Sequence, residues 1–248
     1  MFTLCIPTMD RFGSFLSNYL PRYLNNKLIG EIVITDENGN DATKIKNAFP
    51  DNEKIKIFVN QNQLGPFLNK LKACSHASNE WIVLIDSDNF AADDYFVKAA
   101  EYISAIIGEQ KNVILAPSFA SPNFNYSHLS GFVYEKERFQ SNNLKEKQII
   151  TSNNTCSETL MNTGNYVINK YLVDNLDLSK EVDNIKYSSA CDVIYFNTML
   201  FEQLELQMHI VPNMVYDHVV HSGSIYTQTH AMFRNFNDYV RKRYYNLF

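Results

Sequence analysis

Asp86 and Asp88 stand one residue apart at the end of an aliphatic run, Trp81-Ile82-Val83-Leu84-Ile85-Asp86-Ser87-Asp88-Asn89. An extended Asp-x-Asp can aim two carboxylates at one divalent cation, a hard ion that takes oxygen ligands and shares them with substrate phosphates. The five apolar residues before the pair are short, β-branched-rich and apolar on both faces, as an interior parallel strand requires. Such strands end at the carboxyl edge of an α/β sheet, where ligands bind. The competing reading of the pair is a solvated strand end.

The elements that must position this pair follow from periodicity. Residues 3–7 read as a first strand and residues 8–13 as a polar loop. Residues 14–24 repeat apolar side chains at helical spacing, with Pro21 expected to kink or break the helix. Residues 31–35 form a second strand, ending in the dense turn signal Asp36-Glu37-Asn38-Gly39-Asn40-Asp41. Residues 54–59 alternate as a third strand, residues 60–66 are a loop, and residues 67–76 are a helix carrying Lys70 and Lys72. The Asp-x-Asp strand is then the fourth of a β-α-β series, which implies a largely parallel sheet with right-handed crossovers. Further on, residues 95–107 read as a helix stopped at Gly108, and residues 113–117 as a strand. Between residues 118 and 154 the pattern weakens around a strand-like Gly131-Phe132-Val133-Tyr134. A strand at 163–168, a short helix at 170–176, a helix at 192–204 and a strand at 207–211 complete the domain. Residues 215–225 carry His218, His221 and a Ser-Gly-Ser turn, and residues 233–248 form a basic, aromatic helical tail.

The chain has 248 residues, is 45% hydrophobic and 20% charged, and carries a net charge of −5. That is ordinary for a globular protein, and it lacks the basic surface of a nucleic-acid binder. An acidic chain that takes an anionic ligand needs a metal ion and local cations. Cys5, Cys74, Cys156 and Cys191 form no CxxC pair, which suits free thiols in a reducing compartment. No basic leader with an apolar core opens the sequence, and no apolar run is long enough for a bilayer. The expectation is a cytoplasmic protein, at most peripheral at a membrane through its tail. Abundant Asn, Ile and Lys suggest an AT-rich bacterial or viral genome.

Several motifs together resemble the inverting GT-A glycosyltransferases of family-2 type. These are Ile6-Pro7-Thr8 after the first strand, Asp36-Glu37-Asn38-Gly39 after the second, Asn62-Gln63-Leu64-Gly65 before a helix with a basic residue at Lys70, and residues 77–88 leading into Asp-x-Asp. The resemblance is strongest over residues 1–95. It implies an α/β, Rossmann-like, mostly parallel sheet flanked by helices, in a single domain with a C-terminal helical tail. Residues 1–115 would form the nucleotide-sugar-binding half, 116–225 the acceptor and catalytic half, with the irregular stretch facing the acceptor, and 226–248 the tail. It further implies that Pro7, Thr8, Asp10, Arg11, Asp36, Lys70, Asp86, Ser87, Gly164 and Asn165 bind the donor. Asp88 and His221 would ligate Mn²⁺ or Mg²⁺, the alternative being that His218 takes the place of His221 at the metal. Asp192, in Cys191-Asp192-Val193, would be the general base, although capping and the helix dipole also favour an acid there. The function implied is sugar transfer from a nucleotide-diphosphate donor, UDP-linked in the first instance, to a hydroxyl of a glycan, lipid-linked or protein acceptor. The rivals are a nucleotide- or glycan-binding relative that has lost the chemistry, and a haloacid-dehalogenase-like phosphatase. The phosphatase would want the motif on its first strand and a later Gly-Asp-x-x-x-Asp, and neither is present.

Overall fold

The computed structural model describes residues 1–136, 163–224, 229 and 231–247. Nine strands among these residues share one sheet: β1 (Phe2–Thr8), β2 (Ile29–Asp36), β3 (Ile55–Val59), β4 (Trp81–Leu84), β5 (Val113–Ser121), β6 (Phe124–Asn125), β7 (Val133–Glu135), β8 (Tyr166–Asn169) and β9 (Gln207–Asp217). Their spatial order is β3-β2-β1-β4-β8-β5-β9-β7, with β6 paired to β5. The first four strands are mutually parallel. β8 is inserted antiparallel to both β4 and β5, while β9 runs parallel to β5. The sheet is therefore mostly parallel and flanked by helices, as the alternating pattern predicts.

Strand parity splits the core into two layers. Cys5, Val33, Ile82, Leu84, Ile114 and Ile168 face one side, packing with Phe67, Leu71, Tyr195 and Met199 from α3 (Gly65–Ser75) and the long helix Asp192–Gln203. Leu4, Ile6, Ile32, Val83, Leu115 and Val167 face the other side, against Leu20 and Tyr23 of α1 (Ser17–Asn25) and Tyr95 and Phe96 of α4 (Asp93–Tyr102). Burial on both faces explains why residues 81–85 are apolar throughout rather than alternating.

Several boundaries differ from the sequence expectation. The helix at residues 14–24 begins instead as a π-helical turn, Phe12–Leu16, and continues as α1 through Pro21. The carbonyl deprived of its donor by Pro21 is that of Ser17, at the junction where the ladder is already shifted, so the helix survives. The polar run 36–41 turns at Gly39 (φ +82°) and then starts α2 (Asn40–Ala48). β5 and β9 run past residues 117 and 211 because they pair with each other from Val113↔Gln207 to Ser121↔Asp217. The 118–136 part of the irregular stretch thus holds the end of β5, β6 and β7; the rest of it, through 154, lies outside the described residues.

Shorter helices α5 (Lys170–Asp174) and α6 (Val182–Ile185) precede α7 (Asp192–Gln203), and α8 (Arg234–Tyr245) is the tail. α8 is docked on the domain: Val240 is fully buried, Phe236 meets Tyr195 edge-on, and Arg243 lies between Glu181 and Glu202. No helix among the described residues is long and apolar enough to cross a membrane. Cys5, Cys74 and Cys191 are free and buried; Cys156 lies outside the described residues.

Gly164 sets the approach of β8 to the start of α7. A Cβ placed there would lie 2.5 Å from Val193 Cγ2 and 3.1 Å from Cγ1, both well inside van der Waals contact. Gly164→Ala is expected to lower stability by about 1–3 kcal/mol through overpacking. The double variant Gly164→Ala/Val193→Ala should recover part of that loss. Urea melts of the four proteins in the cycle would check this, and additive losses would show that the two positions do not press on each other.

Candidate active site

The ends of β1, β2, β4 and β9 open into a cleft of about 430 Å³ lined by Pro7, Thr8, Arg11, Glu37, Lys70, Asp86, Ser87, Asp88, Asp192 and His218 among others. Its position at the carboxyl edge of the parallel strands follows from the topology.

Lys70 lies at the centre of this cleft's floor. It projects from α3, is 8% exposed, and places Nζ 2.9 Å from Asp86 Oδ1 and 2.7 Å from Asp192 Oδ2. Burial by itself would push the ammonium toward the neutral form, but Asp192 and then Asp86 outweigh it and hold the pKa above the ordinary lysine value. Asp86 is held in turn by Asn165, whose Oδ1 accepts from the Asp86 N–H (2.6 Å) and whose Nδ2 donates to Asp86 Oδ2 (3.2 Å). Tyr95 fixes Asn165 from behind, donating to its carbonyl at 3.2 Å.

Asp88 faces the opposite wall. Its Oδ2 is 2.8 Å from His221 Nε2, a contact between positions 133 residues apart. The Gly223 N–H donates to His221 Nδ1 (3.2 Å), so the ring proton sits on Nε2, toward Asp88. Phe15, on the π-helical turn, packs against the imidazole at 5.3 Å between ring centres. The Asp-x-Asp loop is stitched to this wall by main-chain bonds between Phe90 and Asp217 (3.0 and 2.7 Å) and by Asn89 Oδ1, which accepts from the Val219 N–H at 2.9 Å. His218 lines the cleft beside them. Burial lowers its pKa, and Asn123 bonds its Nδ1 (2.8 Å) and carbonyl (3.0 Å).

The loop after β1 is shaped by Asp41, a fully buried carboxylate that accepts from the Thr8 hydroxyl and from the main-chain N–H groups of Arg11 and Phe12, each at 2.8 Å for the two amides. Arg11 then spans the cleft edge, donating from Nη2 to the Gly223 carbonyl at 2.7 Å.

The sequence-derived residues thus divide. Pro7, Thr8, Arg11, Lys70, Asp86, Ser87, Asp88 and Asp192 line the cleft. Asn165 and His221 stand directly behind Asp86 and Asp88. Gly164 packs against Val193, beside a small apolar hollow under Lys70 and Asp192. Asp10 is exposed at φ +57°, its carboxylate taken by Asn40 and Asn38, which lower its pKa. Asp36 is fully buried and accepts from the N–H groups of Asn38 (3.2 Å) and Ala42 (2.8 Å), bracing the start of α2.

Glu37 and Asn69 line the cleft without having been singled out as ligand contacts. Glu37 is the informative one. Its Oε2 accepts from the Leu64 N–H (2.7 Å) and from Asn60 Nδ2 (3.1 Å), while its buried Oε1 has no hydrogen-bond partner among the described residues. Strand parity could have found it: Asp36 is the last residue of β2 and points into the fold, so its successor turns toward the edge.

Asp88 offers a carboxylate oxygen that suits Mn²⁺, and His221 could join it through Nε2 once the ring proton moves to Nδ1 and the Gly223 N–H is released. Among the described residues no group of three or more His, Cys, Asp or Glu converges on one point, so the remaining ligands would come from a diphosphate and water.

Residues 3–165, more than half of the chain, match the sequence profile of the family described as Glycosyl transferase family 2. No curated protein matches. Among solved structures, TarS 1-349 of S. aureus in complex with UDP-GlcNAc superposes with a TM-score of 0.62 at 14% identity, covering 99% of this chain and 71% of that one. Another structure of S. aureus TarS gives 0.58 at 13% identity, covering 98% of this chain and 42% of that one. Glucosyl-3-phosphoglycerate synthase of Mycobacterium tuberculosis, solved with Mn²⁺, UDP and glucosyl-3-phosphoglycerate, gives 0.59 at 13% identity, covering 98% of this chain and 79% of that one. At such identities the likeness speaks for the fold alone, and it is the GT-A fold that the motifs imply. The family match sets aside the phosphatase reading. With the fold, the cleft and the matched profile in agreement, the chain is a glycosyltransferase and belongs to glycosyl transferase family 2.

Proposed function

We propose that the chain transfers a sugar from a UDP-linked donor to an acceptor hydroxyl with inversion at the anomeric carbon, using Asp192 as general base. The observation that carries this reading is that Asp86, Asp88 and Asp192, from the end of β4 and the start of α7, line a single cleft. Neighbours of the same fold are solved with UDP, UDP-GlcNAc and Mn²⁺.

Asp192 accepts the proton of the acceptor hydroxyl as its oxygen bonds to the anomeric carbon, and the bond from that carbon to the diphosphate breaks with its electron pair on the leaving oxygen. Asp88 and His221 would hold Mn²⁺ or Mg²⁺. When bound, the ion offsets the charge that grows on the leaving group in the transition state. Arg11, drawn to the Gly223 carbonyl, keeps the cleft wall closed over the nucleotide side. Thr8, held by Asp41, presents the loop main chain to the nucleoside. The acceptor side is bounded by Ser189, Val193 and Thr229, and its substrate is a glycan, a lipid-linked sugar or a protein hydroxyl.

Glu37 supports the choice of base. Its free Oε1 calls for an N–H donor from the ligand, which the imide N3–H of uracil supplies and the N3 of cytosine does not. In Glu37→Gln the amide oxygen is retained by the Leu64 N–H and Asn60, which leaves an NH₂ group to oppose the base N–H. UDP should bind about tenfold more weakly than to wild type while CDP gains, as expected for losing a hydrogen bond to a charged group. Calorimetry with both nucleotides checks this, and an equal loss for both would remove Glu37 from base recognition.

A melting-temperature panel of nucleotide sugars tests the function directly, with and without Mn²⁺, on wild type and Asp88→Ala. A ligand that binds the native state raises the melting temperature by mass action. The expected result is a Mn²⁺-dependent rise with one UDP-sugar, absent in the variant. No rise with any nucleotide would overturn the donor assignment.

A further inference from the structure

We infer that Lys70 is a positioning residue for Asp192 and Asp86 rather than a ligand of the donor diphosphate, an inference that rests on the transferase reading above. Its ammonium sits between the two carboxylates at 2.7 and 2.9 Å, and only 10% of its side-chain surface reaches solvent, against 30% for Asp86 and 16% for Asp192. Two of its three N–H donors are spent on these oxygens. A phosphate would have to displace one of them from a buried cation, whereas the two aspartates reach the cleft with surface to spare.

The arrangement does positional work that each carboxylate needs. Asp192 is the first residue of α7, with no side-chain cap on that helix end. Asp86 follows the last residues of β4, held on its far side by Asn165. Lys70 is the one cation that either of them pairs with among the described residues. It therefore sets the distance between the nucleotide side of the cleft, at Asp86, and the acceptor side, at Asp192. Small errors in that distance are costly, because a misplaced base loses its line to the hydroxyl proton. Gly164 and Val193 complete the same design by letting α7 approach close enough for the pair to meet.

The test separates binding from turnover. UDP affinity is measured by calorimetry with Mn²⁺, and turnover as UDP release, with water as acceptor, from the UDP-sugar that raises the melting temperature of wild type. Lys70→Met is expected to keep the UDP dissociation constant within about threefold and lower kcat about 100-fold, the scale of a general base put out of place. Lys70→Arg, whose fork reaches two carboxylates, should restore kcat to within about tenfold of wild type. Should Lys70→Met not fold, Lys70→Gln serves, since its amide donates without charge, with the same expected split between affinity and kcat. A loss of UDP affinity of tenfold or more with kcat at saturating donor unchanged would make Lys70 a phosphate ligand and overturn the inference. So would variants indistinguishable from wild type in both measures. If wild type itself binds no UDP, the donor assignment falls first and this inference with it, so the two failures are distinct.

Discussion

The Lys70 ammonium between Asp86 and Asp192 is the interaction on which the site's geometry rests. A buried lysine is tolerable only when paired, and a buried carboxylate likewise, so three elements are obliged to bring their charges to one point. α3 delivers the cation, the end of β4 one anion, and the start of α7 the other, across 122 residues of sequence. Removing one partner of such a group leaves an uncompensated charge, a change of about 3–5 kcal/mol when burial is complete and less here, where Asp86 is partly in solvent. Asp86 lies two residues past the end of β4 and Asp192 is the first residue of α7, so the spacing between the two carboxylates follows from how that strand and that helix are placed.

The carboxylates of the molecule fall into two kinds. Asp36 and Asp41 are fully buried and spend their oxygens mainly on main-chain N–H groups, bracing the start of α2 and the loop after β1. Asp86, Asp88 and Asp192 keep part of their surface in the cleft. The first kind makes the cleft's shape and the second supplies its chemistry. A further layer of neutral groups, Asn165, Asn89 and Asn123, ties the reactive side chains to the strands behind them. Such layers are what hold functional groups in one geometry without a metal or substrate present.

The cleft has one wall that depends on distant chain. β9 extends beyond its expected end because β5 runs alongside it, and that extension carries Asp217 to Phe90 and so His221 to Asp88. Arg11 closes the same wall from the first loop. Loss of strand pairing at the ends of β5 and β9 would therefore be felt at Asp88 without any change in the Asp-x-Asp segment.

What the sequence determined alone was the part written in short-range periodicity. The double-sided apolar run at residues 81–85, the alternation of strands and helices up to residue 107, and the polar residues at strand ends were enough to place a ligand cleft at Asp86 and Asp88 with Thr8 and Arg11 on its edge, while Lys70 and Asp192 were marked by the family resemblance. Tertiary structure decided the rest, because partner choice among buried polar groups is a long-range matter. Neighbouring acids at the end of β2 look alike in sequence. Yet Asp36 turns inward to cap α2 and Glu37 outward with an oxygen to spare, since successive strand residues face opposite ways. The antiparallel insertion of β8, which brings Asn165 behind Asp86, leaves no mark on Tyr166, Val167 and Ile168, which are apolar whichever way the strand runs. Likewise Lys70 reads as one more basic residue on a helix until α7 is packed against α3 and its two aspartates are found on either side of it.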